Sequence, residues 1–307
     1  MSTTFKNVAV LGASGNLGPY FLSALKEAGF NVIAVVRTSS KATFPADVEV
    51  RKSDYTFDSL VSIFKGQDAL VSPIAASDLA VQKTIIDAAI AAGVKRILPS
   101  EFGGDTSLQG LAKHLPFASS KKDIFTYLKS KESQGISWTT VYTGIFLDWL
   151  GQALELGQGI IGFDLDNFKA TRFDSGEERS DSTNIATVAK AVVAILQNAD
   201  LTHNQQVYVH SHRLTQNQVI AAIERIAGKK LNISEASSLE LAEQGRAEMA
   251  RGELRSGSLN LVTAAIYAPW GFADFGGRSV AWNEALGLPE EDLDATIERV
   301  LKNKKII

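Results

Sequence analysis

The run Gly12-Ala-Ser-Gly-Asn-Leu-Gly18 constrains the fold more than any other part of this sequence. It follows an apolar segment at residues 8–11, which predicts a buried strand, and it opens a helical pattern over 17–28. Glycines at G-x-x-G-x-x-G spacing permit a tight strand-to-helix turn and let backbone N–H groups approach a pyrophosphate. Its place in the first βαβ unit favours nucleotide binding over a purely structural turn.

Short apolar runs alternate with helical patterns through the first half of the chain. Strands are predicted at 8–11, 32–36, 48–51, 69–71, 96–98 and 138–142, and helices at 17–28, 57–65, 79–92 and 120–133. Continuous Val/Ile/Leu strands separated by helices indicate right-handed βαβ units in a parallel sheet that is covered on both faces. We predict an α/β fold, a Rossmann-like doubly wound parallel sheet with a smaller, helix-rich C-terminal substrate lobe.

The alternation weakens after about residue 144, and this change sets the expected domain division. A dinucleotide-binding domain is predicted over 1–155 and a substrate lobe over 156–307, with elements near 183–210 returning to the sheet. Further helices are predicted at 186–197, 216–227, 239–251 and 292–302, a strand at 206–209, and a glycine- and aromatic-rich loop at 267–277.

Composition excludes several classes of function. The 307 residues carry a formal net charge of −3 and include no cysteine, which excludes disulfides, thiolate metal sites and a cysteine nucleophile. Basic residues are dispersed, so we expect neither nucleic acid nor a membrane surface as a partner. The chain has no long apolar segment and no secretory signal, and the four histidines lack metal-site spacing. We expect a cytoplasmic protein, a monomer or homodimer, with a small-molecule substrate and no metal.

The residues after the second predicted strand distinguish between the two nicotinamide coenzymes. An NAD site usually places Asp or Glu there to bind the ribose 2′-hydroxyl. This chain instead has Arg37-Thr-Ser-Ser-Lys41, with no acidic residue before Asp47. A guanidinium binds a 2′-phosphate with two hydrogen bonds, whereas a carboxylate would repel it. NADP(H) is therefore the expected cofactor, and a solvated basic loop is the alternative.

Other cofactor contacts are predicted from the rule that ligands bind beyond the carboxyl ends of parallel strands. Asp54 and Tyr55 follow the third strand, where an adenine ring would lie, although an ordinary turn explains them equally well. The segment 72–75, which begins with Ser72 and Pro73, follows the fourth strand and could pass beneath the nicotinamide ribose. The glycine turn supplies the predicted contacts Gly12, Ser14, Gly15, Asn16, Leu17 and Gly18.

With the glycine turn and Arg37, the run Leu98-Pro-Ser-Glu-Phe-Gly103 resembles the NmrA-like, isoflavone-reductase-like branch of the atypical short-chain dehydrogenases/reductases. The pattern Lys-x-x-Ile-x-x-Tyr-Leu at 121–128, followed by Gly-Ile-Ser-Trp-Thr at 135–139, matches a second block of that family. The resemblance covers residues 5–150 well and the rest loosely. It implies a Rossmann-like domain, NADPH, and reduction of small aromatic or other secondary metabolites.

The resemblance also implies roles for particular residues. Lys121 takes the role of the catalytic lysine and also contacts the cofactor. Arg37 and Lys41 contact the 2′-phosphate of the coenzyme. Phe102 and Phe146 take positions near the nicotinamide.

Two lysine arrangements compete for the catalytic role. Tyr127 and Lys131 have the Tyr-x-x-x-Lys spacing of many short-chain dehydrogenases. In a helix that starts near residue 119 or 120, Lys131 lies about 15 Å further along the axis than Lys121, because each residue adds about 1.5 Å. We interpret Tyr127 and Lys131 as a packed aromatic residue and a solvated lysine. Lys121, with Lys122 as the alternative, is predicted in the first helical turn beside the nicotinamide, although a surface pair of lysines would show the same pattern.

Candidate substrate contacts are aromatic or imidazole side chains. His114 precedes the lysine helix, Phe146 and Trp149 follow the sixth predicted strand, and Trp270 belongs to the loop at 267–277. These side chains could wall a flat pocket, although packing of the C-terminal lobe onto the sheet would explain them too. Plant members of the resembling family often carry Ser-Asn before the aromatic residue at Phe146, and this chain does not, which leaves the substrate undefined.

The sequence therefore predicts an NADPH-dependent reductase of a small aromatic or conjugated metabolite, with Lys121 as general acid. A non-catalytic NADP(H)-sensing NmrA-like regulator is the main alternative. An epimerase or dehydratase that recycles bound nicotinamide is less favoured, because the Tyr-x-x-x-Lys pair is poorly placed.

Overall fold

The computed structural model of the chain describes residues 4–74, 79–150 and 160–307. Its strands are β1 (Asn7–Leu11), β2 (Asn31–Arg37), β3 (Glu49–Ser53), β4 (Ala69–Val71), β5 (Arg96–Leu98), β6 (Ser137–Tyr142), β7 (Phe163–Asp164), β8 (Lys169–Phe173), β9 (Arg179–Ser182), β10 (Gln205–Tyr208), β11 (His212–Thr215) and β12 (Asn232–Ala236). Its α-helices are α1 (Gly18–Glu27), α2 (Phe57–Phe64), α3 (Leu79–Ala91), α4 (Pro116–Lys129), α5 (Ile185–Gln197), α6 (Gln216–Ala227), α7 (Ser238–Ala250), α8 (Leu254–Tyr267), α9 (Gly277–Leu286) and α10 (Leu293–Asn303).

Seven parallel strands form the central sheet in the order β10-β6-β5-β4-β1-β2-β3. Side chains alternate between the two faces, so Val8 and Val10 of β1 pack in one core with α1 and α5. Ala9 and Leu11 pack in a second core with α2, α3 and α4. The strands β4 and β5 in the middle of the sheet are buried on both faces, which is why they are apolar except for Arg96. The predicted Rossmann-like, doubly wound parallel sheet is confirmed.

A buried arginine connects a central strand of the sheet to the segment that precedes the edge strand β10. Arg96 of β5 is 1% exposed, and its guanidinium donates to Ser137 Oγ at 2.7 Å, Thr139 Oγ1 at 3.0 Å, Thr202 Oγ1 at 3.0 Å and the Ala199 carbonyl at 2.7 Å. Burial lowers the pKa of Arg96 to about 10. These bonds connect β5 and β6 to the segment between α5 and β10, and β10 pairs with β6 at the edge of the sheet.

The C-terminal part adds two small sheets that the sequence did not predict. One pairs β9 with β11, and the other has the order β12-β8-β7. Helices α6, α7, α8 and α10 pack with these strands around a core of their own. Helices α8 and α9 were also not predicted. In α8, Gly257 permits close packing on α7, because a Cβ there would lie 2.7 Å from the Gly245 carbonyl oxygen.

The lysine-bearing helix begins earlier than predicted. Helix α4 starts at Pro116 rather than near residue 120 and ends at Lys129. Proline at the first helical position has a backbone torsion suited to the helix, and its missing N–H leaves no unpaired donor. Lys121 therefore lies in the second turn, and the predicted first-turn position is wrong. In the three described ranges no helix is long and apolar enough to cross a membrane.

Candidate active site

The glycine turn after β1 has the close packing that its sequence predicted. Gly12 has a φ of +84°, and its N–H donates to the Val35 carbonyl of β2 at 2.9 Å. A Cβ at Gly12 would lie 2.5 Å from Ile74 Cγ2, and a Cβ at Gly18 would lie 2.3 Å from the Ala13 oxygen. Both positions therefore require glycine for the turn to pack against the fourth strand and the first helix.

The first turn of α1 can bind an anion. The helix begins at Gly18 and has no side-chain cap, so backbone N–H groups of its first turn lack intrahelical partners. Ser14, Gly15 and Asn16 are exposed in front of it. Leu17 is 8% exposed, with its side chain in the core, so a cofactor contact by Leu17 would use the backbone. Such helix N-termini favour phosphate groups.

A groove of about 440 Å³ lies along the carboxyl ends of the strands at this turn. Its lining joins residues that are distant in sequence, some of them predicted and some, such as Val81 and Gln82, not: Gly12, Ser14, Gly15, Val36, Arg37, Tyr55, Pro73, Ile74, Val81 and Gln82. The structure thus brings together the glycine turn and the ends of β2, β3 and β4. This is the edge of a parallel sheet where ligands are expected.

Arg37 is exposed at the end of β2 and is the cation among the lining residues of this groove. Among the residues that the structure describes, no carboxylate lies within salt-bridge distance of its guanidinium. Burial raises the pKa of the Tyr55 hydroxyl, and the charge of Arg37 opposes that rise. Lys41 is also exposed, but it does not line the groove. Arg37 thus has the geometry for an anionic group, and Lys41 stays a prediction.

The two candidates after β3 have different surroundings. The Asp54 carboxylate accepts from the Thr56 N–H at 3.0 Å and the Thr56 hydroxyl at 2.8 Å, and these bonds lower the pKa of Asp54. Asp54 therefore closes the turn before α2. Tyr55 has a positive φ of 66° and lines the groove. The turn interpretation thus fits Asp54, whereas Tyr55 lies where a ligand can reach it.

The segment after β4 contributes a buried hydroxyl. Ser72 is 2% exposed, and its Oγ has no hydrogen-bond partner among the described residues. Buried hydroxyls are usually paired, so one without a partner beside a groove suggests a ligand contact. Pro73 lines the groove, and Ala75, the last residue of the predicted segment, lies outside the described residues.

Lys121 is held by one residue of the loop after β5. Its Nζ donates to the Glu101 carbonyl oxygen at 3.0 Å and lies 3.4 Å from the Glu101 Oε2. The lysine side chain is 18% exposed and the glutamate 6%. Glu101 Oε2 also accepts from the Thr106 hydroxyl at 2.8 Å. Lys122, the alternative to Lys121, is exposed on the same helix.

The surroundings of Lys121 connect to the groove through one side chain. Lys121 and Glu101 line a small cavity together with Gln82, Pro99, Ser100, Ile124 and Phe125. Gln82 is 4% exposed and lines this cavity and the groove at the glycine turn. Lys121 therefore lies at the opposite end of the site from Arg37. Neither Gln82 nor Glu101 was singled out from the sequence, although Glu101 lies within the Pro-Ser-Glu-Phe-Gly run.

Tyr127 and Lys131 form a separate cluster between α3 and α4. The Tyr127 hydroxyl donates to both Asp87 carboxylate oxygens at 2.8 Å, and Lys131 Nζ lies 3.2 Å from Asp87. Hydrogen bonds with Tyr127 and Asp87 raise the pKa of Lys131. Tyr127 lies about 9 Å beyond Lys121 along the helix. The cluster lines neither cavity, which agrees with the structural interpretation of this pair.

The predicted aromatic contacts lie in two groups. Phe102 packs on Phe21 of α1 with ring centroids 5.1 Å apart, and Phe146 and Trp149, 4.7 Å apart edge to face, pack against the same core.

His114 stacks on Trp270 at 4.1 Å, and Trp270 packs against the C-terminal core. Neither aromatic group lines the groove or the Lys121 cavity.

The loop that carries Trp270 is attached to the sheet by two buried aspartates. Asp181 Oδ2 accepts from the Phe275 N–H at 2.7 Å, and Asp105 Oδ2 accepts from Arg278 Nη1 at 2.9 Å. Both aspartates are 0% exposed, and burial raises the pKa of Asp181 to about 6. The aromatic loop is therefore fixed against the loop that contains Glu101.

Of the two histidines at β11 and on its approach, His212 has a hydrogen-bond partner, whereas the buried Nδ1 of His210 has none among the described residues. His212 Nε2 lies 3.2 Å from Thr296 Oγ1, and His210 Nδ1 lies 3.8 Å from Asp181. Burial lowers the pKa of both imidazoles. Within the described part of the chain, no group of three or more His, Cys, Asp or Glu side chains could hold a metal ion.

A further cavity, of about 580 Å³, lies in the C-terminal part against the sheet of β7, β8 and β12. Its lining includes Lys169, Thr171 and Asn260, and none of the predicted site residues. It shares no lining residue with the groove at the glycine turn or with the Lys121 cavity. The predicted site residues therefore lie at the groove and at the Lys121 cavity, and not at this larger cavity.

Comparisons with known proteins show the family to which the chain belongs. The profile of the NmrA-like family matches residues 4–254. The oxidoreductase aprR of Aspergillus flavus is 33% identical over 300 residues, covering 96% of this chain and 98% of that protein. The oxidoreductase poxI of Penicillium oxalicum is 30% identical over 302 residues, covering 94% of this chain and 92% of that protein.

One solved structure shares the fold over nearly the whole chain. AtPrR2 with NADP⁺ and (+)-pinoresinol superposes with a TM-score of 0.76 and 21% sequence identity. The superposition covers 98% of this chain and 100% of that chain. At this identity the likeness concerns the fold alone.

Proposed function

The chain is an oxidoreductase that belongs to the NmrA-like family, and from this premise we propose that it is an NADPH-dependent reductase of a small aromatic or conjugated metabolite. One observation carries the proposal. At the carboxyl edge of the sheet, the glycine turn lies between a guanidinium that has no carboxylate partner among the described residues and a half-buried lysine that is held by Glu101.

The residues of the groove fit a phosphorylated dinucleotide. The uncapped N-terminus of α1 provides donors for a pyrophosphate, and Arg37 provides a cation without a protein partner for a 2′-phosphate. Ser72, which precedes the lining residue Pro73, has a buried hydroxyl without a hydrogen-bond partner among the described residues, and we propose it as a further polar contact. An adenine beside Tyr55 would lie next to Arg37, in agreement with the order of the strands.

Lys121 is the proposed general acid. When bound, NADPH supplies a hydride from nicotinamide C4 to a polarised C=C or C=O bond. Lys121 Nζ carries the proton that completes such a reduction, and its place beside Gln82 puts it next to the groove. Glu101 and the surrounding apolar residues leave the lysine side chain only 18% exposed, which limits competing contact with water.

An aromatic substrate class is supported by the family and by the predicted aromatic residues, although none of these residues lines the groove or the Lys121 cavity. Phe146 and Trp149 follow β6, and His114 with Trp270 borders the loop attached to Asp105. Flat rings pack well against such side chains. The aromatic ligand in the related AtPrR2 structure supports the same class.

The test is NADPH oxidation across a panel of enones, quinones and isoflavone-like compounds. Lys121→Met is expected to lower kcat by about 10²–10⁴-fold, because a positioned general acid contributes about that factor. The matched control is Lys122→Met, which removes an exposed lysine from the adjacent position and should leave kcat within about twofold. Undiminished turnover in Lys121→Met removes the lysine from the mechanism. Binding of NADPH by the wild type with no turnover on any compound favours the sensing regulator.

A further inference from the structure

We propose that Glu101 is a positioning residue that fixes the amine of Lys121 for proton transfer, an inference that rests on the proposed function of that lysine. The loop after β5 places both oxygen types of Glu101 at one nitrogen. The carbonyl oxygen lies 3.0 Å and the carboxylate Oε2 3.4 Å from Lys121 Nζ. One residue thus constrains the flexible lysine from two directions.

The number of N–H donors on the Lys121 amine shows how Glu101 can orient the proton that is transferred. An ammonium group has three N–H donors and no acceptor. Glu101 accepts two of them, which leaves one for a ligand atom. With its other two donors fixed, the third has a defined direction. A lysine side chain without such contacts would sample many rotamers.

Glu101 is itself fixed before any ligand binds. It is 6% exposed, and its Oε2 accepts from the hydroxyl of Thr106, which is 5% exposed. Asp105, which precedes Thr106, is held by Arg278 and by the Phe272 carbonyl. Glu101 therefore lies in a loop between β5 and α4 that these hydrogen bonds hold in place. A buried carboxylate that faces an ammonium is a strong, geometrically defined partner.

Chemical labelling tests this anchoring independently of catalysis. Acetic anhydride acetylates amines, and mass spectrometry of peptides compares Lys121 with the exposed Lys122 in the same sample. In the wild type, Lys121 should react about tenfold more slowly than Lys122, because Glu101 and burial protect it. Glu101→Gln should reduce that difference by about threefold or more, since it removes a charge-assisted bond. An unchanged ratio overturns the inference.

Two further variants control this experiment. Asp123→Asn also removes one negative charge, but from an exposed position of α4, and it should leave the labelling ratio unchanged. A changed ratio in this variant would indicate a general effect of charge. Thr106→Val removes a bond to Oε2 and keeps the carboxylate, and it should raise Lys121 acetylation by about twofold. If Glu101→Gln does not fold, Thr106→Val carries the test, and an unchanged ratio there overturns the inference.

Kinetics separate positioning from a structural role. Glu101→Gln should lower kcat by about 10–100-fold and leave the KM for NADPH within about threefold, because the coenzyme binds along the groove. In a Lys121→Met background the same substitution should lower residual kcat by less than about twofold. If Glu101→Gln lowers kcat as much in the Lys121→Met background as in the wild type, Glu101 does not act through Lys121. Absence of wild-type turnover overturns the proposed function instead, and the labelling ratio still reports on the anchor.

Discussion

Replacement of Arg37 by Gln is the sharpest test of coenzyme recognition. The guanidinium lies at the end of β2 and lines the groove, and within the described ranges it has no carboxylate partner. Tyr55 lines the same groove, and the charge of Arg37 opposes the rise that burial causes in the pKa of that tyrosine. Arg37→Gln keeps a polar side chain and removes the charge together with the forked donors of the guanidinium. The expected effect therefore falls on the coenzyme that carries the additional phosphate.

The size of the effect follows from the exposure of Arg37. Two unit charges 4 Å apart interact by about 4 kcal/mol at an effective dielectric constant of about 20. Arg37 is exposed, so solvent and salt reduce this value, and a charge-assisted hydrogen bond of about 2 kcal/mol is the better guide. About 2 kcal/mol corresponds to about a 30-fold rise in the Kd for NADPH. The Kd for NADH should change by less than about threefold, because NADH lacks the 2′-phosphate.

Isothermal titration of both coenzymes at low and high ionic strength measures these constants. The matched control is Arg51→Gln on the neighbouring strand, whose guanidinium donates to Glu49 at 2.7 Å and to the Ile63 carbonyl at 2.7 Å. That variant should keep the wild-type preference for NADPH. Weakening of NADPH and NADH to the same extent in Arg37→Gln would refute the reasoning, as would an effect that does not diminish with salt.

Three other substitutions give distinct outcomes. Gln82→Leu should raise the KM for NADPH by about three- to tenfold in steady-state assays, since this buried amide lines both cavities; an unchanged KM contradicts this. The pKa of Asp181 is raised to about 6, so its contribution to stability is present below about pH 4 and is lost as pH rises through 6. Urea unfolding should show the difference between wild type and Asp181→Asn falling from pH 4 to 7, and a difference that is constant or rises counts against it. Arg96→Met should lower the free energy of unfolding by about 3 kcal/mol, because four buried acceptors lose their donor; a loss below about 1 kcal/mol would contradict this account.

The sequence predicted those parts of the fold that depend on local pattern. The strands from β1 to β6 and the glycine turn appear where predicted, and the signal was clearest for β1, β2 and β4, because a parallel sheet covered on both faces favours continuous apolar runs. The early start of α4 had a signal that the prediction did not use. Pro116 is a residue type favoured at the first helical position, and it places Lys121 one turn further into the helix.

The strands and helices of the C-terminal part depend on contacts that are distant in sequence. β12 has the polar sequence Asn-Ile-Ser-Glu-Ala and forms because β8 pairs with it, from Asn232 opposite Lys169 to Ala236 opposite Phe173. Helix α8 contains Gly257, which lowers helix propensity, and the close approach of α7 compensates. Such elements leave no periodic pattern that a single sequence reveals.

In the candidate site, too, residues marked by a local pattern could be predicted, whereas contacts between distant residues could not. Arg37 and the glycine turn were identifiable because each follows a strand whose end lies at the ligand edge. The anchoring of Lys121 by Glu101 joins residues 20 positions apart across a loop, and the shared lining by Gln82 depends on how α3 packs. Neither contact has a sequence spacing that would reveal it, so both required the structure.

A structure of the protein with NADPH bound tests the central claim most directly. The account predicts a pyrophosphate against residues 12–18, the 2′-phosphate at Arg37, and nicotinamide C4 within about 6 Å of Lys121 Nζ, which is hydrogen-bond reach through a substrate atom or one water. A coenzyme bound outside this groove, or a nicotinamide ring more than about 10 Å from Lys121 Nζ, too far for one intervening substrate atom, would contradict it.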